Sequence, residues 1–165
     1  METINEKKYP IIYVDAPWED KTWPIKRVKE LPVGKRSAAD ALLLLWMPVA
    51  LLPDALVVLK GWEFEYAGLL TWQKPNDDKY WHRSRGEHML IGKRGIVKTS
   101  FLFRHTIFEE SPCDGDFKPE GFRHHLLMAG LIAFGESAPH LDLFGGYWKR
   151  FFPGYEKDDW DFWED

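Results

Sequence analysis

The stretch "YPIIYVDAPWED", residues 9–20, joins a short apolar run to a carboxylate, a proline and a tryptophan. Residues 11–14 are β-branched or aromatic without polar alternation, which is typical of a parallel strand covered on both faces. Pro17 cannot continue a central strand, and it favours an extended conformation for the residue before it. The sequence therefore predicts Asp15 at the carboxyl end of a strand, with Trp18 projecting from the loop beyond. In open α/β sheets, ligands bind at this edge.

The rest of the chain shows further strand and helix patterns. The predicted strands are residues 41–47, 64–74, 87–95, 101–110 and 140–146. The predicted helices are residues 48–62, helical after Pro53, and a segment from Lys118 to about Phe134, while Lys21–Lys35 is predicted as a polar, basic loop. Strands alternate with helices early and cluster in the middle, which predicts a mixed, mostly parallel α/β sheet with helices on both faces.

Length and composition narrow the class of protein. With 165 residues, we expect a single domain over residues 1–165 with a sizeable core. The one cysteine, Cys113, excludes a disulfide framework and a cysteine metal cluster, and the first residues lack the apolar core of a signal peptide. The longest apolar run, twelve residues from Ala41 to Leu52, is too short to span a bilayer. These features predict a cytoplasmic protein without a membrane partner.

The net charge of -4 conceals an asymmetry along the chain. Between Lys79 and Arg104, seven lysines and arginines accompany one acid, Glu87. This basic stretch fits a phosphate backbone or, equally, a solvated face. Residues 156–165 carry six acids and one lysine, so the tail is not a nucleic-acid surface, and its three aromatic residues predict that it packs against the protein.

The residues after the first strand suggest a chemical function. A carboxylate at a strand end, backbone carbonyls beside a proline, and an adjacent indole could form a slot for a flat heterocycle that bears an amino group. The carboxylate of Asp15 would accept hydrogen bonds from that group, and Trp18 would stack on the ring, at about 1–3 kcal/mol per stacked base. An ordinary turn is the alternative interpretation of the same four residues.

Six blocks of the chain share residues and order with one known family. They are "IIYVDAPWED", "ALLLLWMPVALLPDALVVLKGWEFEYAGLLTWQK", "KYWHRSRGEHMLIGKRG", "FKPEGF", "HLDLFGG" and "DWDFWED". In this order they resemble the Asp-Pro-Pro-Trp loop, the strand–helix–strand ending in Thr-Trp-x-Lys, the Tyr-Trp-x-Arg-Ser…Glu…Leu-Gly-x-Arg-Gly block, the Lys-Pro-Glu helix start, the Glu-Leu-Phe-Ala-Arg strand and the closing Gly-Trp-Asp-x-Trp-Gly-Asn of the MT-A70 family. Members of this family are S-adenosylmethionine-dependent adenine N6-methyltransferases, and the resemblance extends nearly from end to end.

The resemblance implies a Rossmann-like methyltransferase fold with permuted motif order, catalytic strand first and cofactor strand last. It implies methyl transfer from S-adenosylmethionine to adenine N6 in DNA, or alternatively in RNA, by a compact bacterial or phage type of enzyme in the cytoplasm of a bacterial cell. The resemblance allows either a homodimer or a heterodimer.

The resemblance also assigns roles to residues at the matching positions. The implied catalytic residues are Asp15, Ala16, Pro17 and Trp18. The implied cofactor-binding residues are Asp15, Lys118, Asp142, Phe144, Gly145, Gly146 and Asp165. The implied nucleic-acid-binding residues are Trp18, Lys79, Arg83, Arg85, Lys93 and Arg94.

Several of these positions have a second interpretation from the residues alone. The pair Gly145-Gly146 permits close approach to a ligand or forms a simple turn. Asp142 orders the cofactor pocket or is a capped surface acid. Lys118, at a helix N-terminus, binds an anion such as the methionine carboxylate or is solvated. Arg83 and Arg85 lie near the target nucleotide or form a solvated pair. No metal site is predicted, because the six histidines lack ligand spacing.

Four departures from the family pattern leave two hypotheses. Ala16 replaces the first proline, Gly146 replaces an arginine, and Glu164-Asp165 replaces the closing Gly-Asn. The histidine and serine usual before Lys-Pro are missing in "DGDFKP". The first hypothesis is an active DNA adenine N6-methyltransferase. The second is a catalytically inactive relative that binds nucleic acid or a partner subunit.

Overall fold

The computed structural model describes residues 7–18, 20, 21, 23–74, 86–99, 107–111, 118, 121–135, 138–144 and 160–163. In this part of the chain the strands are β1 (Tyr9–Val14), β2 (Ser37–Met47), β3 (Glu65–Gln73), β4 (Gly86–Arg94), β5 (Ile107–Glu109), β6 (His140–Leu143) and β7 (Trp160–Trp163). The helices are α1 (Ile25–Glu30), α2 (Val33–Arg36), α3 (Leu52–Gly61) and α4 (Gly121–Phe134), and a 3-10 turn over Val49–Leu51 precedes α3.

The described strands form one seven-stranded mixed sheet in the order β5-β3-β4-β2-β1-β6-β7. Strand β4 is antiparallel to its neighbours β2 and β3, and the other pairings are parallel. The mixed α/β class predicted from the sequence is therefore confirmed. The acidic tail contributes β7, which lies beside β6 at one end of the sheet.

Apolar side chains alternate along the central strands and fill two layers. On one face of the sheet, residues such as Ile12 and Leu43 pack with α1 and α3. On the other face, Ile11 and Tyr13 pack with α4. Since successive strand residues point to opposite faces, an uninterrupted apolar run such as residues 11–14 is buried on both sides. Helices thus cover both faces of the sheet.

The segment Lys21–Lys35, predicted as a loop, instead contains α1 and begins α2. A proline precedes each helix, Pro24 before α1 and Pro32 before α2, and proline favours such a start. Each helix has one fully buried valine, Val28 in α1 and Val33 in α2. A single anchor in a short, basic segment leaves too little periodicity to reveal a helix in the sequence.

Strand directions define two opposite edges of the sheet. We call the edge where the parallel strands end, and where β4 begins, the carboxyl edge. The opposite edge is the amino edge. Strand β4 spans the distance between them, roughly 27 Å for its length at about 3.4 Å per residue. Residues at its two ends therefore belong to different surfaces.

Candidate active site

The carboxylate of Asp15 lies at the carboxyl edge in the middle of the sheet. Asp15 directly follows β1, which pairs with β2 on one side and β6 on the other. Its backbone N–H donates to the carbonyl oxygen of Leu143 at 3.3 Å, which continues the pairing with β6 by one residue. About a third of the side chain, 35%, is exposed. The predicted position of Asp15 at a strand end is confirmed.

Three further charged side chains extend from Asp15 in a line of alternating sign. The ammonium nitrogen of Lys118 lies 3.3 Å from Asp15 Oδ1 and 2.6 Å from Glu87 Oε2. The other oxygen of Glu87, Oε1, lies 2.9 Å from the Nζ atom of Lys74. Lys74 and Lys118 are 6% and 13% exposed at their side chains, so this charged cluster is largely withdrawn from water. Its two cations balance its two carboxylates.

Burial and neighbouring charges shift the pKa values of the charged cluster in different directions. Desolvation raises the pKa of Asp15, helped by the negative charge of Glu87 and opposed by Lys118. Desolvation also disfavours the ionised form of Glu87, but Lys118 and Lys74 outweigh it and lower the pKa of Glu87. Desolvation would lower the pKa of Lys118, yet Asp15 and Glu87 together raise it. Asp15 is thus the carboxylate with the greater affinity for a proton.

Aromatic rings on the α4 side of the sheet lie beside the two lysines of the charged cluster. Lys118 Nζ lies 5.0 Å from the ring centroid of Trp46, and Lys74 Nζ lies 5.0 Å from that of Trp72. The two indoles meet edge to face with centroids 6.2 Å apart, and Phe122 of α4 packs on Trp46 at 5.0 Å. Such rings attract cations and exclude water, which strengthens the ion pairs beside them.

The loop after Asp15 is held by hydrogen bonds within itself and to β2. The N–H of Trp18 donates to the carbonyl of Ala16 at 2.8 Å, and that of Asp20 donates to the carbonyl of Pro17 at 2.9 Å. The indole Nε1 of Trp18 donates to the carbonyl of Trp46 at 2.6 Å. The sequence suggested that Trp18 projects from the loop. In the structure its side chain packs against the core instead. Each loop carbonyl keeps a second lone pair for a ligand.

Phe144 follows β6 in a strained conformation at the same edge. Its φ of 70° lies in the left-handed region, which a bulky residue rarely adopts. Its ring meets that of Trp23 edge to face at 4.7 Å, and the guanidinium of Arg27 lies 3.9 Å above the Trp23 ring. Strained residues of this kind cluster at ligand sites. The predicted cofactor residue Phe144 therefore lies one residue past the strand that pairs with β1.

Asp142 lies within β6 and is fully buried. Its register partner is Tyr13 of β1, so both side chains belong to the α4 side of the sheet. The interpretation of Asp142 as a capped surface acid is therefore wrong. Its predicted part in ordering the cofactor pocket stays a prediction.

The start of α4 differs from the free anion site that the sequence suggested. Lys118 precedes α4 by a few residues, but its charge is shared between Asp15 and Glu87. The N–H of Gly121, the first residue of α4, donates to the Glu110 carboxylate at 3.0 Å. Glu110 thus supplies the anion at this N–H of the helix terminus.

The predicted basic nucleic-acid surface is divided by the fold. Lys93 and Arg94 end β4 at the amino edge, far from Asp15, where Lys93 lies 3.9 Å from Glu65 and Arg94 pairs with Glu63. The structure does not bring these two cations together with Trp18. Six predicted residues lie outside the described residues: Lys79, Arg83, Arg85, Gly145, Gly146 and Asp165.

Sequence reasoning missed Glu87, Lys74 and the aromatic rings as members of this site. Two signals could have pointed to the charged pair. Glu87 is the one acid in an otherwise basic stretch and begins a strand, and Lys74 closes a predicted strand. Strand ends at the carboxyl edge are where ligands bind, but the antiparallel direction of β4 had to be known to place Glu87 there.

A comparison of the chain with models of protein families finds no match, and a comparison with curated proteins finds none either. The relationship to the MT-A70 family therefore stays a prediction from sequence motifs. Among the described helices, none has the length and apolar character needed to cross a bilayer. Among the described residues, no group of three or more histidine, cysteine, aspartate or glutamate side chains could hold a metal ion.

Proposed function

We propose that this protein transfers a methyl group from S-adenosylmethionine to the N6 amine of adenine in DNA, on a Rossmann-like methyltransferase fold. The observation that carries the proposal is the position of Asp15. Its partly exposed carboxylate lies at the carboxyl end of a strand flanked by two parallel strands, and it ends a balanced line of charges. The motif order along the chain supports the same assignment.

The reaction needs a polarising acceptor beside a weak nucleophile. The N6 lone pair of adenine is delocalised into the ring, so the nitrogen requires precise orientation towards the sulfonium methyl group. As the N–C bond forms and the S–C bond breaks, positive charge moves from sulfur to N6. The Asp15 carboxylate stabilises that charge through a hydrogen bond from N6 and then takes up the proton. Its raised pKa makes it a better proton acceptor than an ordinary aspartate.

The geometry of the charged cluster allows an amino group to reach Asp15. Lys118 is closer to Glu87, at 2.6 Å, than to Asp15, at 3.3 Å. A substrate amine could therefore replace Lys118 at Asp15 while the ammonium keeps its shorter contact with Glu87. The carbonyls of Ala16 and Pro17 would accept a second N6 hydrogen through their remaining lone pairs.

The surroundings of Asp15 suit a planar base and an adenosyl cofactor. Trp18 follows on the loop, and Phe144 lies at the end of the neighbouring strand β6 with its ring on Trp23. We assign the base to the Trp18 side and the cofactor to the β6 side. In duplex DNA the target adenine would have to be flipped out of the helix to reach Asp15.

Two observations favour the second candidate, a non-catalytic relative that binds nucleic acid or a partner. Lys118, proposed to hold the methionine carboxylate, already contacts two carboxylates. Gly146 stands where the family pattern has an arginine, so that guanidinium is lacking as well. A charge-assisted hydrogen bond contributes about 1.5–3 kcal/mol, so its loss weakens cofactor binding about ten- to a hundredfold.

The test combines cofactor binding with methyl transfer. Wild-type protein should bind S-adenosylmethionine by calorimetry, up to millimolar concentration, and should transfer tritiated methyl groups to adenine-containing DNA. Asp15→Asn should reduce transfer by at least about 100-fold, because it removes the acceptor for the developing charge. Asp161→Asn at the amino edge is the matched control, with circular dichroism to verify folding.

Two outcomes would contradict the proposal. Transfer by Asp15→Asn at the wild-type rate would remove Asp15 from the chemistry. Absence of cofactor binding by folded wild-type protein, with DNA present, would favour the non-catalytic relative. RNA in place of DNA as the better methyl acceptor would keep the reaction and change the substrate.

A further inference from the structure

We propose that Lys74 is a positioning residue for the methyl transfer, acting through Glu87 to keep the charge of Lys118 available to Asp15. The inference rests on the proposed function for its consequence in catalysis, but its electrostatic content concerns the protein alone. Lys74 contacts Glu87 and has no assigned contact with either substrate. Its part is to neutralise a carboxylate that would otherwise take up the charge of Lys118.

The contacts of Glu87 carry this inference. One carboxylate oxygen, Oε1, lies 2.9 Å from Lys74, and the other, Oε2, lies 2.6 Å from Lys118. Glu87 therefore has one cation on each oxygen. Asp15 has Lys118 at 3.3 Å as its cationic partner among the described residues. Without Lys74, one lysine would have to serve two carboxylates, of which Glu87 is the nearer.

The fold holds Lys74 in place for this purpose. Lys74 directly follows β3, and residues Trp72 and Gln73 are in register with Glu87 and Gly86 of β4. Its side chain is 6% exposed and lies against the ring of Trp72, whose indole Nε1 donates to the carbonyl of Glu110 at 2.8 Å. A buried lysine costs free energy unless it is paired, so its placement here calls for a partner such as Glu87.

The other described ionisable groups near Asp15 lie on elements different from the one that carries Lys74. From β1 and β6, Tyr13, His140 and Asp142 lie on the same face of the sheet, deeper in the core. From the start of α4, Glu110 faces the N–H of Gly121. A rise of the Asp15 midpoint after substitution of Lys74, together with a fall after substitution of Glu87, assigns the effect to the line Lys74–Glu87–Lys118.

Removing the charge of Lys74 has a defined electrostatic sign. In Lys74→Met, Glu87 draws Lys118 more strongly, and the uncompensated negative charge of Glu87 acts on Asp15. Both effects disfavour ionised Asp15, so its titration midpoint should rise by about 0.5–1 pH unit. Lys74→Arg keeps the charge and should stay close to the wild-type midpoint.

The primary measurement is the pH titration of the Asp15 carboxyl carbon by nuclear magnetic resonance, in the full chain without ligands. The resonance is assigned by its absence from Asp15→Asn. The matched control is Lys26→Met, which removes a lysine from an exposed ion pair with Glu30 and should leave the midpoint unchanged. An Asp15 midpoint in Lys74→Met equal to that of wild type would overturn the inference.

A second variant keeps the inference testable if Lys74→Met fails to fold. Glu87→Gln removes the negative charge that Lys74 neutralises, so the Asp15 midpoint should fall. An unchanged midpoint in Glu87→Gln would show that Glu87 does not act on Asp15, and Lys74 could then not act through it.

Activity separates this inference from the proposed function. The acid limb of the pH profile of kcat/KM for methyl transfer should move upward in Lys74→Met by the same amount as the Asp15 midpoint. A shifted midpoint in a protein that is inactive as wild type would refute the proposed function and retain the electrostatic role of Lys74. An unshifted midpoint in an active enzyme would refute the electrostatic role of Lys74 and retain the proposed function.

Discussion

Ion pairs between basic residues and glutamate occur at both edges of the sheet, but the two edges differ in how far these pairs are buried. At the carboxyl edge, the side chain of Glu87 is 25% exposed and lies between two lysines. At the amino edge, the acidic partners Glu65 and Glu63 of the last two β4 residues are 81% and 72% exposed. One strand, β4, contributes to both edges. Burial, and not the choice of residues, distinguishes them.

This difference in burial indicates which ion pairs affect the stability of the protein most when one partner is lost. Exposed ion pairs contribute about 0–1 kcal/mol, since water screens them and holding two long side chains costs entropy. A buried pair gains little over apolar residues, yet the loss of one partner is severe. The charged cluster around Asp15 is therefore poorly explained by stability alone. The methyl transfer proposed for the carboxyl edge would supply a reason for its presence, and the following variants test the contrast.

The largest effect is expected from Lys118→Met. It leaves Asp15 and Glu87 facing each other with Lys74 as the remaining cation of the cluster, and breaking a buried pair costs about 3–5 kcal/mol. At the amino edge, Lys93→Met should change the free energy of unfolding by about 0.5 kcal/mol or less. Urea denaturation of both variants measures the contrast. Equal losses at the two edges would show that burial does not distinguish them.

Smaller changes in the free energy of unfolding, of opposite sign, are expected from substitution of the two carboxylates Glu87 and Asp15. The pKa of Glu87 is lowered, so its stabilisation is present above its ordinary value of 4.5 and is lost as the pH falls through the lowered pKa. The pKa of Asp15 is raised, so its contribution is present below 3.8 and is lost as the pH rises through the raised pKa. At pH 7, Glu87→Gln should destabilise the fold and Asp15→Asn should stabilise it.

Unfolding free energies at pH 7 and below pH 3.8 test this pair of signs. We expect Glu87→Gln to cost about 1.5–3 kcal/mol at pH 7, because Glu87 accepts from two charged donors. The gain in Asp15→Asn should shrink as the pH falls. Destabilisation by Asp15→Asn at pH 7 would mean that the ion pair with Lys118 outweighs the burial of Asp15.

A third effect, smaller than those of the charged cluster, is expected at the amino edge, in Tyr9→Phe. The hydroxyl of Tyr9 donates to Asp161 Oδ2 at 2.9 Å, and burial with this bond raises the pKa of Tyr9 to about 12. Its stabilisation is present below pH 10 and is lost as the pH rises through about 12. In the variant, the free energy of unfolding at pH 7 should fall by about 1 kcal/mol. Its dependence on alkaline pH should disappear, and methyl transfer should be unchanged. A fall in methyl transfer would show that a change at the amino edge affects the proposed site at the carboxyl edge.

Much of the fold could be predicted from local patterns. Residues 11–14 are a strand because their β-branched and aromatic side chains suit burial on both faces, and the helix after Pro53 has its proline and acid in the first turn. Asp15 could be placed at a strand end because a proline follows within two residues. The helices in Lys21–Lys35 could not be predicted, because each of them has a single buried valine and therefore no apolar periodicity.

The sequence by itself determined that Asp15 ends an apolar strand and is followed by a proline and a tryptophan, because strand length and proline geometry are properties of neighbouring residues. Only the tertiary structure decided which charges meet Asp15. Glu87 and Lys118 are 31 residues apart in the chain, and they meet because β4 runs against its neighbours and begins where they end. Ion pairing depends on distance in space and on the exclusion of water, and neither is a property of any one segment.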